Sequence, residues 1–119
     1  MAQKVLIVDD DPTLTYLLGT FLTENGYDVV TAADGEEGLQ KLAAEHPDLI
    51  LLDVVMPKVN GYAFLFEMRK REIGSNVAVI VMTCKVDMKD IFQAEGVLEY
   101  LEKPFNNKEL LDKIRQYLP

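Results

Sequence analysis

Five short apolar segments, spread along the whole chain, most constrain the fold of this sequence. Four are rich in leucine or β-branched residues and the last is weaker; they span residues 5–8, 29–30, 49–52, 77–81 and 98–101. Runs this short and this continuously apolar are typical of strands that are buried on both faces, as in parallel sheets. The sequence therefore predicts a parallel sheet that is covered on both sides.

Helical patterns of apolar residues alternate with these segments. The first repeats at helical spacing and consists of Leu14, Leu17, Leu18, Phe21 and Leu22. Asp11 is its predicted N-cap, with Pro12 in the first turn and Gly26 after the last turn. Four more helical patterns follow. The second helix begins with a capping box at Asp34 and Glu37, and the third with Asn60 as its predicted cap. The fourth has a shorter apolar face over 87–94, and the fifth begins with a capping box at Asn106 and Glu109.

A strand followed by a helix, repeated five times, predicts an α/β fold with right-handed crossovers. At 119 residues, of which 49% are apolar, the chain has the size of one domain, which we predict to span residues 1–119. The strand order 2-1-3-4-5 is adopted from known sheets of this kind, because the sequence pattern alone does not determine it. The predicted fold class is a doubly wound (βα)5 flavodoxin-like sandwich with a five-stranded parallel sheet.

Polar residues stand at the carboxyl ends of the predicted strands. Asp9 and Asp10 end the first strand, Asp53 ends the third, Thr83 ends the fourth, and Lys103 follows the fifth. The functional crevice of a doubly wound sheet lies at this edge. If the first and third strands are neighbours, about 4.8 Å apart, the three aspartates converge. Carboxylates that repel one another and offer oxygen ligands predict a Mg²⁺ site.

The hydroxyl of Thr83 and the ammonium of Lys103, on the far side of this edge, would suit an incoming phosphoryl group. Phosphoryl transfer needs charge neutralisation and alignment more than covalent chemistry from the protein. A carboxylate can serve as the acceptor. Asp11 is interpreted as a helix cap and not as a metal ligand, because Pro12 follows it.

Charge and composition disfavour several other classes of protein. With 20 acidic and 12 basic residues the net charge is −8, which opposes binding to the phosphate backbone of nucleic acids. The single cysteine, Cys84, cannot form an internal disulfide, in agreement with a reducing compartment. No apolar run approaches the roughly 20 residues that span a bilayer. We therefore predict a cytoplasmic protein without a membrane segment.

Four motifs resemble the receiver domain of two-component response regulators, including the chemotaxis type, over essentially the whole chain. In chain order they are VLIVDDDP, DLILLDVVMPKVNGYAF, VIVMTCK and YLEKPF. The resemblance implies that Asp53 is a phosphoacceptor that takes a phosphoryl group from a phosphohistidine of a sensor kinase or phosphotransfer protein. It also implies that Mg²⁺ is bound by Asp9, Asp10, Asp53 and the backbone carbonyl of Val55.

The same resemblance implies a conformational switch. Lys103 would pair with the acceptor carboxylate or with phosphoryl oxygens, Thr83 would bond a phosphoryl oxygen on activation, and Tyr100 would turn inward behind Thr83. This movement would reshape the face formed by the fourth helix, the fifth strand and the fifth helix, where a downstream output protein or domain binds. The phosphoryl group would favour the state in which Thr83 and Lys103 reach it.

Several further expectations follow from the resemblance. The chain would be a signalling domain and not an enzyme, any self-phosphorylation or self-dephosphorylation being incidental, and it would be a monomer or a phosphorylation-dependent dimer. One departure is that the segment from Thr83 to Gly96 is about two residues shorter than the usual pattern, and Cys84 stands where alanine is more common.

Three alternatives share parts of this pattern. Residues 9–13 also fit the Asp-x-Asp-x-Thr motif of haloacid-dehalogenase-type phosphatases, but these need an acidic pair after the lysine, and only Glu109 and Asp112 remain, inside the last predicted helix. A flavodoxin-like electron carrier would need a first loop that binds the flavin phosphate, and here that loop is acidic. A receiver-fold adapter that signals without phosphorylation stays open.

Overall fold

The computed structural model describes residues 2–53, 61–73, 77–83, 99–102 and 106–118. In chain order these residues form β1 (Lys4–Val8), α1 (Pro12–Glu24), β2 (Asp28–Ala32), α2 (Gly35–Glu45), β3 (Leu49–Asp53), α3 (Gly61–Lys70), β4 (Ala78–Thr83), β5 (Glu99–Glu102) and α4 (Asn107–Tyr117). Helix α4 corresponds to the fifth helix of the sequence prediction. The predicted helix over 87–94 and the part of the shortened segment that follows Thr83, Cys84 included, lie outside the described residues. None of the helices that the structure describes is long and apolar enough to cross a membrane.

The five strands form one parallel sheet in the order β2-β1-β3-β4-β5. This confirms the predicted fold class and the adopted strand order. The order reverses between β1 and β3, because the chain moves outward to β2 and then crosses back to β3. The carboxyl ends of β1 and β3 therefore border the crevice that such a reversal creates.

Two separate hydrophobic cores cover the two faces of the sheet. Alternate residues of a strand point to opposite faces, so Leu6 and Val8 pack with α2 and α3, whereas Val5 and Ile7 pack with α1 and α4. All four of these β1 side chains are fully buried. Their burial on both faces explains the continuously apolar segments in the sequence.

Local hydrogen bonds fix the ends of the helices. The side chain of Asp34 accepts a bond from the amide of Glu37 at 2.8 Å, and the side chain of Asn106 accepts one from the amide of Glu109, also at 2.8 Å. Helix α1 ends in a Schellman motif, in which the amide of Tyr27 bonds to the carbonyl of Leu22. Gly26 has φ of +93° there, a conformation that glycine adopts without steric cost. The caps predicted at these positions are confirmed, and the predicted cap Asn60 lies outside the described residues.

Two helical glycines are expected to respond oppositely to substitution by alanine. A Cβ at Gly38 would lie 2.9 Å from Cε2 of Phe64 and 3.1 Å from both γ-carbons of Val8, whereas a Cβ at Gly19 would lie 3.5 Å from Cγ1 of Val29. Phe64 and Val8 are fully buried and cannot easily yield. Overpacking should make Gly38→Ala less stable by about 1 kcal/mol, after its gain in helix propensity. Gly19→Ala should be more stable by about 0.5 kcal/mol.

Urea unfolding followed by circular dichroism measures both changes in the free energy of unfolding. Equal stabilisation by the two substitutions would contradict the close packing of α2 against α3 and β1.

Candidate functional site

The carboxyl ends of β1 and β3 bring acidic residues from distant parts of the chain to one edge of the sheet. In the parallel pairing of these strands, Val8 lies opposite Leu52. Asp9 directly follows Val8 and Asp53 directly follows Leu52, so both acids leave neighbouring strands at the same level. The convergence predicted from the strand ends is therefore present.

The three aspartates form a compact cluster of carboxylates. One oxygen each of Asp9, Asp10 and Asp53 can be chosen so that all three lie within 4.8 Å of one another. Asp9 and Asp53 are only 2% and 7% exposed, whereas Asp10 is exposed to solvent. The cluster thus combines two buried carboxylates with one that solvent can reach.

The spacing of these oxygens fits a small divalent cation. In an octahedral Mg²⁺ site, ligand oxygens about 2.1 Å from the ion lie about 3.0 Å apart when adjacent and about 4.2 Å apart when opposite. Small side-chain rotations from the observed spacing would satisfy those distances. Without a cation, each pair of carboxylates repels by about 1 kcal/mol in a water-like medium and by more near a protein surface. Both distance and charge therefore favour Mg²⁺ at this cluster.

Backbone groups hold Asp9 in place. Its amide donates to the carbonyl of Ala32 in β2 at 3.1 Å, and its Oδ1 accepts a hydrogen bond from the amide of Asp11 at 3.0 Å. The first bond anchors the main chain at the end of β1 to the neighbouring strand. The second directs the carboxylate, because one of its oxygens is bound to a fixed donor.

Asp11 caps helix α1, as the sequence predicts. Its Oδ1 accepts hydrogen bonds from the amides of Thr13 at 3.0 Å and Leu14 at 3.2 Å. The bond from the amide of Asp11 to Asp9 was not predicted. Its signal in the sequence is the aspartate two residues earlier, since aspartate side chains often accept a bond from the amide two residues on.

The far side of the site is only partly covered by the described residues. Asp53 lies opposite Met82 of β4, and the next residue, Thr83, lies opposite Glu102 of β5. The backbones of Thr83 and Tyr100 belong to β4 and β5, but their side chains lie outside the described part of the structure. Lys103 and Val55 lie wholly outside it. The roles of these four residues stay predictions.

Two surface grooves lie away from the cluster. One, of about 510 Å³, runs between α1 and β2 past Tyr16, Gly19 and Val29. The other, of about 570 Å³, lies near the start of β1 and includes Gln3 and Arg115. Neither is lined by a residue of the carboxylate cluster, which is therefore the stronger candidate for a site with ionic chemistry.

Comparison with known proteins gives a consistent family. The family model described as "Response regulator receiver domain" matches residues 5–115. The probable transcriptional regulator ycf27 of Porphyridium aerugineum is 43% identical over 98% of this chain, which covers 48% of that protein. The chain spans about half the length of the curated relatives that it matches.

Solved structures agree with this family in both fold and sequence. The chemotaxis protein CheY4 of Vibrio cholerae superimposes with a TM-score of 0.92 at 32% identity, covering 98% of this chain and 99% of that one. The response regulator TrrA of Thermotoga maritima, solved in complex with Mg(2+)-BeF, gives 0.85 at 33% identity, with 97% and 98% covered. With the aspartate cluster at the carboxyl edge of a sheet of order β2-β1-β3-β4-β5, this chain belongs to the response regulator receiver domain family of two-component signalling systems.

Proposed function

We propose that this chain accepts a phosphoryl group on Asp53 from a phosphohistidine of a sensor kinase or phosphotransfer protein, with Mg²⁺ as cofactor. The observation that carries the proposal is the convergence of three carboxylates to within 4.8 Å at one edge of the sheet. Membership of the receiver family supports it.

Asp53 is the aspartate best placed to act as acceptor. It ends β3, the central strand, with β1 on one side and β4 on the other. Asp9 and Asp10 therefore approach from one side, and the fourth and fifth strands lead to Thr83 and Lys103 on the other. A phosphoryl group on Asp53 would lie between acids that bind a cation and groups that bind phosphoryl oxygens.

Mg²⁺ would be held by Asp9, Asp10, Asp53 and the backbone carbonyl of Val55. When bound, the ion supplies positive charge that offsets the carboxylates and the incoming phosphoryl oxygens. The oxygen-rich cluster fits this ion, and the TrrA complex with Mg(2+)-BeF supports the same choice.

The transfer itself needs only the acceptor and correct alignment. A carboxylate oxygen of Asp53 forms a bond to phosphorus while the bond from phosphorus to the imidazole nitrogen of the donor breaks. The electron pair of the broken bond stays on that nitrogen. Because the other ring nitrogen of the donor carries a proton when the transfer begins, a neutral imidazole leaves and an acyl phosphate forms on Asp53. Lys103 and Thr83 would contact the phosphoryl oxygens.

The phosphorylated state would then be recognised through a shift in conformation. Contacts of Thr83 and Lys103 with the phosphoryl group favour one state, and Tyr100 follows Thr83 inward. The reshaped face comprises β5, α4 and the helix predicted over 87–94. A downstream output protein or domain is the proposed partner, in line with the names of relatives that are transcriptional regulators.

Several general features complete the proposal. The unit would be a single receiver domain over residues 1–119, located in the cytoplasm, that acts as a signalling switch and not as an enzyme. It would be a monomer or would dimerise on phosphorylation.

Phosphorylation should be detected directly as a change in mass. Incubation with acetyl phosphate and Mg²⁺ should add one phosphoryl group to the intact chain, because Asp53 lies beside the cation-binding carboxylates. Asp53→Asn and an excess of chelator should each abolish the gain. Asp28→Asn, a matched loss of one exposed carboxylate at the start of β2, should leave it intact.

Intact mass spectrometry reports the outcome. An undiminished gain in Asp53→Asn would refute this acceptor. Absence of any gain, together with no binding of beryllofluoride, would instead support a phosphorylation-independent adapter.

Removal of one carboxylate should have opposite effects on stability with and without Mg²⁺. Without the ion, Asp9→Asn should be more stable by about 2 kcal/mol, because two repulsive pairs, with Asp10 and with Asp53, are lost at about 1 kcal/mol each and the amide oxygen can still accept the bond from Asp11. In 100-fold excess of Mg²⁺ over its dissociation constant, the unaltered chain should gain about 2.7 kcal/mol, and Asp9→Asn should gain little.

Thermal unfolding with and without Mg²⁺ measures this difference, again with Asp28→Asn as control. A full Mg²⁺-induced rise in the melting temperature of Asp9→Asn would remove Asp9 from the proposed ligands.

A further inference from the structure

Asp11 is hydrogen-bonded in three directions at the junction between β1 and α1. Its carboxylate accepts from the amides of Thr13 and Leu14, at 3.0 and 3.2 Å. Its carbonyl accepts from the amide of Thr15 at 3.0 Å and from the hydroxyl of the same residue at 2.9 Å. Its amide donates to Oδ1 of Asp9 at 3.0 Å. One residue thus joins the first turn of the helix to a member of the carboxylate cluster.

The cap determines the direction of the amide. With the side chain and carbonyl of Asp11 both bound to the first turn of α1, the orientation of its Cα is fixed relative to the helix. The backbone there is extended, with φ −88° and ψ 106°, as is usual for an N-cap residue. Once the Cα is fixed, φ alone sets the plane of the peptide bond between Asp10 and Asp11. That plane carries the amide that reaches Asp9.

The amide in turn constrains the carboxylate of Asp9. Asp9 is 2% exposed, and one of its carboxylate oxygens lies within 4.8 Å of an oxygen of Asp10 and of Asp53. Repulsion within the cluster favours rotation of the carboxylates away from one another. A hydrogen bond from a backbone amide whose position is fixed opposes that rotation and is stronger because the acceptor is charged.

We propose that Asp11 is a positioning residue for Mg²⁺: by capping α1 it orients the amide that holds Asp9 in its ligand geometry, and so raises the affinity for the ion. This inference rests on the proposed function, in which Asp9 is a ligand. Asp11 itself is not one. If Asp11 acted only as a helix cap, loss of the cap would lower the stability of the chain, and Mg²⁺ affinity would change only by the small effect of the lost charge.

Two substitutions separate the cap from the charge. Asp11→Asn removes the charge and keeps an oxygen that can cap the helix, whereas Asp11→Ala removes both. The charge of Asp11 is partly screened at physiological ionic strength, so its loss alone should weaken Mg²⁺ binding by no more than about threefold. Loss of a group that orients a metal ligand typically weakens binding by 10- to 100-fold. Because Asp11 orients the ligand only indirectly, through its backbone amide, we expect the lower end of this range. Asp11→Ala should bind Mg²⁺ about tenfold more weakly than Asp11→Asn.

A matched pair of variants at α2 controls for general effects of helix capping. Asp34 also caps through its Oδ1, which accepts the amide of Glu37. Asp34→Ala and Asp34→Asn should differ in stability but bind Mg²⁺ with the same affinity. Asp11→Gly is added because glycine at an N-cap is tolerated better than alanine. It lacks the capping oxygen and should bind as weakly as Asp11→Ala while keeping more of the stability.

Mg²⁺ titrations of the full chain, followed by two-dimensional amide NMR at fixed ionic strength, give each dissociation constant. We expect the dissociation constant of Asp11→Ala to be about ten times that of Asp11→Asn. The dissociation constants of Asp34→Ala and Asp34→Asn should be nearly equal. Equal affinities of the two Asp11 variants, or equal ratios at the two positions, would overturn the positioning role while leaving the metal site intact. Failure of the unaltered chain to bind Mg²⁺ would overturn the proposed function itself, and the positioning role with it.

Discussion

The parallel pairing of β1 with β3 is the interaction on which both the fold and the candidate site depend. Val5 to Val8 and Leu49 to Leu52 are fully buried on both faces of the sheet, so a slip of one residue would exchange the side chains of two different cores. Burial of each such side chain contributes about 1.5–3 kcal/mol, whereas repulsion between two carboxylates costs about 1 kcal/mol in a water-like medium. Hydrophobic packing therefore fixes the register, and the register holds Asp9 beside Asp53 against their mutual repulsion.

Strands at the centre of the sheet were predicted more completely from the sequence than the edge strand β2. The central strands β1 and β3 appear as unbroken apolar runs and match the predicted 5–8 and 49–52 to within one residue. Only Val29 and Val30 signalled β2, which in fact runs from Asp28 to Ala32. Because β2 is an edge strand, Asp28 and Thr31 are exposed and polar, and a search for apolar runs misses them.

For the site, the sequence predicted which acids come together but not the local hydrogen bonds that hold them. Convergence of Asp9, Asp10 and Asp53 follows from strand order alone, because parallel strands place their carboxyl ends at one edge. An aspartate two residues before Asp11 makes the hydrogen bond from the amide of Asp11 to Asp9 possible, but its formation also depends on the φ angle of a capping residue, which a pattern of residue types does not specify. The place of Thr83 and Lys103 at the sheet edge predicts contact with a phosphoryl group, whereas the roles of Tyr100 and Val55 come from the family resemblance. The side chains or whole residues of all four lie outside the described part of the structure.

Charge balance explains why the proposed acceptor needs groups on both of its sides. An acyl phosphate on Asp53 would carry a charge of about −2, and with Asp9 and Asp10 the site would hold about −4. One Mg²⁺ on the side of β1 would leave about −2, and the phosphoryl oxygens on the side of β4 and β5 would carry most of it. Relief of that remaining charge requires donors from the fourth and fifth strands, which is the side on which Thr83 and Lys103 are expected. The negative charge that phosphorylation adds would therefore attract donors from β4 and β5, the strands that carry the proposed switch. This attraction is the physical basis proposed for the switch.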